Sequence, residues 1–237
     1  DKRADKNFNE FINNYNENVN ANKLKQEFIK SGFYTIIIDS GSDLQEESFD
    51  IKLGNVYYNG LLNQSIESTI SFDKQYMFFI ASDVLIEDID KLKLYITNLS
   101  SDIYLYSPSS KGQSHPWCKN RNTNDLRDVI FIEGFIFLSH INILKTIYPI
   151  NLDVNRLGYG LDILLGYKAF KIFNKRCVID DRFIVYHKEG TGYNTNKATI
   201  EMNNWIKTLN IEEQNFINLY LTNGYNIESK LLNILKS

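Results

Sequence analysis

Residues 74–90 read KQYMFFIASDVLIEDID, and the fold turns on how the first half of that stretch ends. YMFFIA is an unbroken apolar and aromatic run. Ser82 and Asp83 stop it, and Glu87, Asp88 and Asp90 follow. A strand buried on both faces has this composition, because a parallel sheet covered by helices needs no polar alternation. A carboxylate at the tip of such a strand lies at the edge where open α/β sheets bind ligands. Asp83 is therefore either a solvated turn or a residue placed to hold something.

The same pattern occurs earlier, in YTIIIDSGSD (34–43), where Asp39 follows an apolar run and a Ser/Gly turn. Further along, a helix is expected from Gly60 within NVYYNGLLNQSIEST (55–69), and another through IEDIDKLKLYITNL (86–99). DIYLYS (102–107) reads as a strand opening into a polar loop, PSSKGQSHPWCKNRNTND (108–125), long enough to suspect a role. VIFIEGFIFLS (129–139) reads as one or two strands broken at Gly134, with helix HINILKTIY (140–148) behind it. GLDILLGYKAFKIFN (160–174) has helical spacing. RCVID and FIVYH are short strands flanking Asp180-Asp181-Arg182. The opening segment KNFNEFINNYNENVNANKLKQEFIKSGF (6–33) reads as one or two polar helices, and only helices are expected after Asn196. Strands alternating with helices predict an α/β sheet.

Composition bounds the function. The 237 residues are 43% hydrophobic and 23% charged, as a folded domain with a full core would be. A net charge of −3 argues against nucleic acid as a partner. Cys118 and Cys177 form no CxxC; a reduced pair is expected over a single disulfide. The most apolar window, 129–144, is interrupted by Glu133 and His140 and falls short of the roughly 20 residues a bilayer crossing needs. No transmembrane segment or leader pattern is read, so a cytoplasmic protein is expected, with attachment to the inner face of the membrane through a partner or a missing region left open. Neither the phosphate loop GxxxxGK[ST] nor the dinucleotide GxGxxG occurs.

Taken in order, IIIDSGSD (36–43), NVYYNGLLNQSIE (55–67), FFIASDV (78–84), EGFIFLSH (133–140), GYGLDILLGYKAF (158–170) and DDRFIVYHKEGTGYN (180–194) resemble GT-A fold glycosyltransferases of the family-2 type. The resemblance covers about residues 34–194. It implies a Rossmann-like mixed sheet flanked by helices in a domain of residues 1–195, with a helical C-terminal appendage over 196–237. GT-A enzymes begin with a strand that contacts the nucleoside. DKRADKNFNEF reads as the loop or helix after it, so that strand is expected upstream or missing, and further domains of a longer chain are compatible.

By the same resemblance, Asp83 at the position of the metal-binding DxD and His187 late in the chain would hold Mn2+ or Mg2+; an oxygen–nitrogen donor set suits Mn2+ at least as well. The motif is degenerate, since Ser82 and Val84 stand where acids are frequent. With one carboxylate and one imidazole, metal and sugar nucleotide are expected to bind together. His187 is otherwise a strand-end histidine bonded to a neighbour, and Asp180 and Asp181 are rivals better explained as turn residues. Asp162, at a helix start after a Gly-rich approach, would be the general base of an inverting transfer; a helix-favouring acid is the plainer alternative.

Asp39 would meet the nucleobase, with Asn55, Gly60, Asn63, Ser82 and Lys188 lining the nucleotide site. Gly190 and Gly192 would hinge a lid over it. Acceptor recognition would fall to His115, Trp117, Glu133, Gly134 and Tyr159, Trp117 being either a sugar-stacking face or a hydrophobic plug. The expected activity is transfer from a nucleotide sugar, UDP-linked by family analogy, to a hydroxyl of a glycan, lipid-linked or protein acceptor. The alternative is a non-catalytic carbohydrate- or nucleotide-binding module on a degenerate GT-A fold.

Overall fold

The computed structural model describes residues 8–42, 49–111, 115–188, 194–223 and 227–237. In chain order the elements begin with β1 (Phe8–Asn14), α1 (Asn18–Lys30), β2 (Thr35–Ser40), β3 (Ile51–Leu53), α2 (Tyr57–Ser71), β4 (Tyr76–Ala81), β5 (Val84–Leu85) and α3 (Ile89–Thr97). There follow β6 (Ile103–Lys111), β7 (Leu126–Asp128), β8 (Ile136–His140), α4 (Ile141–Lys145), α5 (Leu161–Lys171), β9 (Arg176–His187), α6 (Thr195–Ile206), α7 (Ile211–Asn223) and α8 (Glu228–Lys236). The strands form one mixed sheet in the order β3-β2-β1-β4-β8-β6-β9-β5, with β7 on β9.

The first four strands run parallel, while β8 is antiparallel to both β4 and β6. The chain leaves β1 for β2 on one side and later returns to β4 on the other. The carboxyl ends of β1, β2 and β4 therefore open a crevice at a topological switch point, where such sheets bind ligands. Asn14, Asp39 and Asp83 stand at those ends.

The apolar runs are continuous because both faces are covered. Phe11, Ile36, Ile38, Met77 and Phe79 face α2, α4, α5 and the C-terminal helices, whereas Ile12, Ile37, Phe78 and Ile80 face α1 and α3. Met202, Trp205, Phe216, Ile217, Tyr220, Leu231 and Leu235 of α6–α8 join the first of these cores, so the helical tail shares the sheet's own hydrophobic interior. No helix among the described residues is long and apolar enough to cross a membrane. Cys118 and Cys177 are buried and unbridged.

Several expectations need correction. Residues 8–14, read as helix, form β1 at the centre of the parallel half, so a strand does precede α1. Its disguise is physical. Asn9, Glu10, Asn13 and Asn14 are all buried, and a polar central strand breaks the pattern that identifies one. Helix α2 begins at Tyr57 rather than Gly60, because Ser40 Oγ at the end of β2 accepts the N–H groups of Val56 and Tyr57 at 3.1 and 3.2 Å. Of the run 129–139 only 136–139 is strand; the rest is core-filling chain between β7 and β8. The two late strands are one, β9, kept continuous through a register shift against β6.

Candidate active site

At the end of β2, Asp39 is fully buried. One carboxylate oxygen accepts from Asn14 Nδ2 at 2.8 Å and from Ser42 Oγ, and the other accepts from the Ser42 N–H at 3.0 Å. Asn14 also reaches Asn18 Oδ1 at 2.6 Å. Asp39 thus ties the turn after β2 to the turn after β1 rather than opening toward the crevice. Of the other residues expected at the nucleotide, Asn55 is exposed just before α2 and Gly60 is buried within that helix. Asn63 is elsewhere: its amide donates to Ile150 O and accepts from Ile150 N, both at 2.9 Å, and so anchors the chain after α4.

Beyond β4 the expected metal pair does come together. Val84 pairs with His187 across the β5–β9 ladder, and His187 Nε2 lies 3.4 Å from an Asp83 carboxylate oxygen. Both side chains are about a quarter exposed, at 23% and 27%. The imidazole stacks on Phe135, with ring centroids 4.3 Å apart and 13° between planes. Ser82 holds the turn by donating its N–H to Asn13 O at 3.0 Å, while its carbonyl accepts from Asn20. Lys188 is exposed and pairs with Glu17 at 3.1 Å. The hinge residues Gly190 and Gly192 lie outside the described residues.

No group of three or more His, Cys, Asp or Glu side chains gathers among the described residues. One hard oxygen and one imidazole nitrogen, both open to solvent, fit a divalent ion that takes its remaining ligands from a diphosphate. The rivals are engaged elsewhere. Asp180 holds both edges of Arg182 at 2.8 Å and accepts the Tyr106 hydroxyl at 3.1 Å; Asp181 holds Arg127 and Thr123, each at 2.7 Å.

Asp162 sits in the first turn of α5, behind Gly160 as its N-cap. It lines a small cavity of about 10 Å³ with Gly134, Tyr58, Leu105, Leu161 and Leu165. Apolar surroundings disfavour its ionised form. Burial first, with the nearby Glu133 carboxylate adding, pushes its pKa up to about 7, against an opposing bond from the Ile163 N–H at 2.9 Å.

Two glycines shape this cavity. A Cβ on Gly134 would lie 2.2 Å from the Tyr58 hydroxyl oxygen, and one on Gly158 would lie 2.3 Å from the Tyr58 ring. The ring is clamped between two segments, and its hydroxyl donates to Gly134 O at 3.1 Å. Gly158 also has φ +87°, which favours glycine on backbone grounds alone. From the tail, Glu201 of α6 accepts the N–H groups of Arg156 and Leu157 at 3.0 and 3.1 Å, fixing the loop that delivers Asp162.

Glu133, Gly134 and Phe135 connect the two carboxylates. Phe135 touches His187 and its carbonyl accepts from Ala81 N at 2.7 Å at the end of β4; Gly134 lines the Asp162 cavity; Glu133 bears on Asp162 electrostatically. Tyr159 is half-buried close by, its pKa raised by burial and by Asp162. His115 donates its backbone N–H to the Glu133 carboxylate at 3.2 Å, and its ring Nδ1 meets the Tyr220 hydroxyl at 3.3 Å. Burial lowers its pKa to about 4, so it is neutral at physiological pH.

Trp117 requires a correction. It is 1% exposed, stacked on His115 and edge-on to Phe131 and Tyr220, so it is the plug of an aromatic cluster with no face to offer a sugar. Sequence reasoning missed Tyr58, Asn14 and Glu201. Glycines at 134 and 158 are a signal that a large ring must pass between two segments; nothing in the sequence points to Glu201.

No protein-family model matches the sequence, and no curated protein matches it. The fold, however, matches solved structures over nearly its whole length. The mannosyltransferase PcManGT of Pyrobaculum calidifontis, in complex with GDP-Man and Mn2+, aligns with a TM-score of 0.62 and 10% identity, covering 99% of this chain and 75% of that one. GalNAc-T7 with UDP, GalNAc and Mn2+ aligns at 0.64 and 10% identity, covering 97% of this chain; this chain spans about half, 54%, of its length. TarS 1–349 of S. aureus in complex with UDP-GlcNAc aligns at 0.58 and 15% identity, covering 97% and 70%. Identities this low speak for the fold alone. The chain has the GT-A glycosyltransferase fold.

Proposed function

We propose that this chain is an inverting glycosyltransferase that moves a sugar from a nucleotide-sugar donor, a UDP-sugar, to a hydroxyl of a glycan, lipid-linked or protein acceptor. Asp162 is the general base: its carboxylate takes the acceptor's proton as the acceptor oxygen forms a bond to the anomeric carbon and the bond to the diphosphate breaks, the electron pair leaving with the diphosphate. Asp83 and His187 would hold a divalent ion, which would supply positive charge to the departing diphosphate oxygens. Asp39 shapes the base side of the crevice by fixing Asn14 and the Ser42 turn. Asn55 and Lys188, both exposed beside that crevice, are donor contacts.

On this reading residues 1–195 are the transferase domain and 196–237 a helical appendage whose Glu201 steadies the base-bearing loop. Buried free thiols suit a reducing compartment, which favours work in the cytoplasm.

One observation carries this reading: the Asp83–His187 pair and the Asp162 cavity are joined by the three-residue segment Glu133-Gly134-Phe135. Neighbours crystallised with UDP or GDP-Man together with Mn2+ lend it support at the level of the fold. The flanking Ser82 and Val84 favour one rival, a binding module without catalysis. Incubation with a panel of UDP- and GDP-sugars, with and without Mn2+, separates the two. A transferase releases nucleotide slowly to water and faster with acceptor, and Asp162→Asn abolishes both while still binding donor. Metal-dependent binding with no turnover on any donor leaves the module.

A further inference from the structure

We propose that Arg156 forms an anion subsite for the acceptor, taking a phosphate or carboxylate that the hydroxyl-bearing substrate carries; the proposal rests on the transferase reading above. The described arginines differ in their partners. Arg121 pairs with Glu228, Arg127 with Asp181, Arg176 with Asp102 and Asp128, and Arg182 with Asp180. Arg156, alone among the described arginines, has no carboxylate of the described residues within ion-pair distance.

Part of its guanidinium is occluded by the chain. Arg156 is half-buried, and its Nε is shut from solvent with no acceptor among the described residues. An occluded donor of this kind is completed by ordered water, an ion or a ligand. Its guanidinium lies 5.7 Å from the centroid of the Tyr57 ring, an arrangement that orients the planar group without neutralising it. Tyr57 opens α2, whose first turn contains no acid, and it has φ +56°, an unfavourable backbone for an aromatic residue.

The backbone at 156 is pinned from both sides. Glu201 accepts its N–H at 3.0 Å, and its carbonyl accepts the Asn59 N–H at 3.1 Å. A fixed arginine with an unused fork suits bidentate recognition of an oxyanion. Its place assigns the anion to the acceptor. Arg156 lies in the segment that leads into α5, six positions before Asp162, and Tyr57 is next to Tyr58, which lines the Asp162 cavity. An anion held there belongs to the molecule whose hydroxyl meets the base.

The test titrates the full chain, with UDP and Mn2+ bound, against glycerol 3-phosphate and against glycerol at matched ionic strength, for wild type, Arg156→Gln and Arg156→Lys. Wild type is expected to prefer the phosphate-bearing ligand by roughly tenfold or more. Arg156→Gln erases the preference, Arg156→Lys retains part of it, and UDP affinity stays the same in all three. Equal binding of the two ligands by wild type, or a preference that survives in Arg156→Gln, overturns the proposal. Discrimination between UDP-glucuronate and UDP-glucose that vanishes in Arg156→Gln, with none between the glycerols, overturns the acceptor assignment and gives the subsite to the transferred sugar. Should Arg156→Gln fail to fold, phenylglyoxal labelling of the wild type decides: inorganic phosphate shields Arg156, read by peptide mass, and labelling indifferent to phosphate overturns the proposal. A wild type that binds no UDP-sugar with Mn2+ sinks the transferase reading instead, while titration without UDP still judges the subsite.

Discussion

His187 Nε2 lies 3.4 Å from an Asp83 carboxylate oxygen because Val84 pairs with His187 in a two-residue antiparallel ladder, and Phe135 stacks under the imidazole. A residue next to the β4 tip and one 104 positions later are thereby held side by side at the crevice. Replacing Asp83 by Asn removes the anionic oxygen from a partly exposed position. The fold is therefore expected to persist while Mn2+-dependent turnover falls by about a hundredfold or more. His187→Ala is expected to raise the Mn2+ concentration needed for half-maximal rate. Wild-type turnover by Asp83→Asn at limiting Mn2+ ends the metal role.

The Asp162 carboxyl, with its pKa pushed up to about 7, gives two pH dependences of opposite use. As a base it works only ionised, so turnover should rise through pH 7 and level off near about pH 8. For stability the sign reverses. Between its ordinary value of 3.8 and about 7 the folded state keeps a proton that the unfolded chain has lost, so this group makes the protein less stable as pH rises across that window. Asp162→Asn should therefore melt higher than wild type at pH 8 while having no turnover. A variant that melts no higher, together with a flat pH–rate profile in wild type, removes the base assignment.

What could be read beforehand follows from which forces leave a trace in sequence. β2 and β4 are legible because burial on two faces demands uninterrupted apolar residues, and Asp39 and Asp83 mark their ends for the same reason. β1 was not, since its interior positions carry Asn9, Glu10, Asn13 and Asn14, which a pattern of hydrophobicity assigns to a surface. The Asp83–His187 meeting depends on a short ladder formed only after the sheet assembles, and the family resemblance alone suggested it. Trp117 and Asn63 illustrate the converse error. A polar loop and a helix flank looked exposed, yet an aromatic cluster and a pair of backbone bonds to Ile150 absorb them.

The clamp on Tyr58 predicts an effect at a distance from any reacting group. A methyl at position 158 would meet the ring at 2.3 Å, and the backbone there has φ +87°, so Gly158→Ala must displace either Tyr58 or the loop leading to Asp162. Misplacing a base by about 1 Å can cost on the order of a hundredfold. Gly158→Ala is expected to lower turnover to that extent while leaving UDP and Mn2+ affinity near wild type, because the Asp83–His187 pair is held by other elements. Tyr58→Leu in the same chain should restore part of the loss by vacating the contact. Unchanged turnover in Gly158→Ala would falsify the clamp as a positioning device.

Glu10 offers a last test, of folding rather than chemistry. It is fully buried on the central strand β1, where one carboxyl oxygen accepts from Thr35 Oγ1 at 3.1 Å and the other has no partner among the described residues. Desolvation raises its pKa well above 4.5 against the opposing Thr35 bond, so the native state holds a proton there that the unfolded state releases. Stability from this group is full below about 4.5 and is lost as pH climbs toward the folded-state value. Glu10→Gln, nearly isosteric and without a proton to lose, should raise the unfolding midpoint at pH 8 by on the order of a few degrees and leave it unchanged at pH 4. Melting curves of both proteins at the two pH values decide the matter. A difference that stays constant between them would mean that Glu10 is ionised in the folded protein, compensated by a cation or water that the buried strand was not expected to admit.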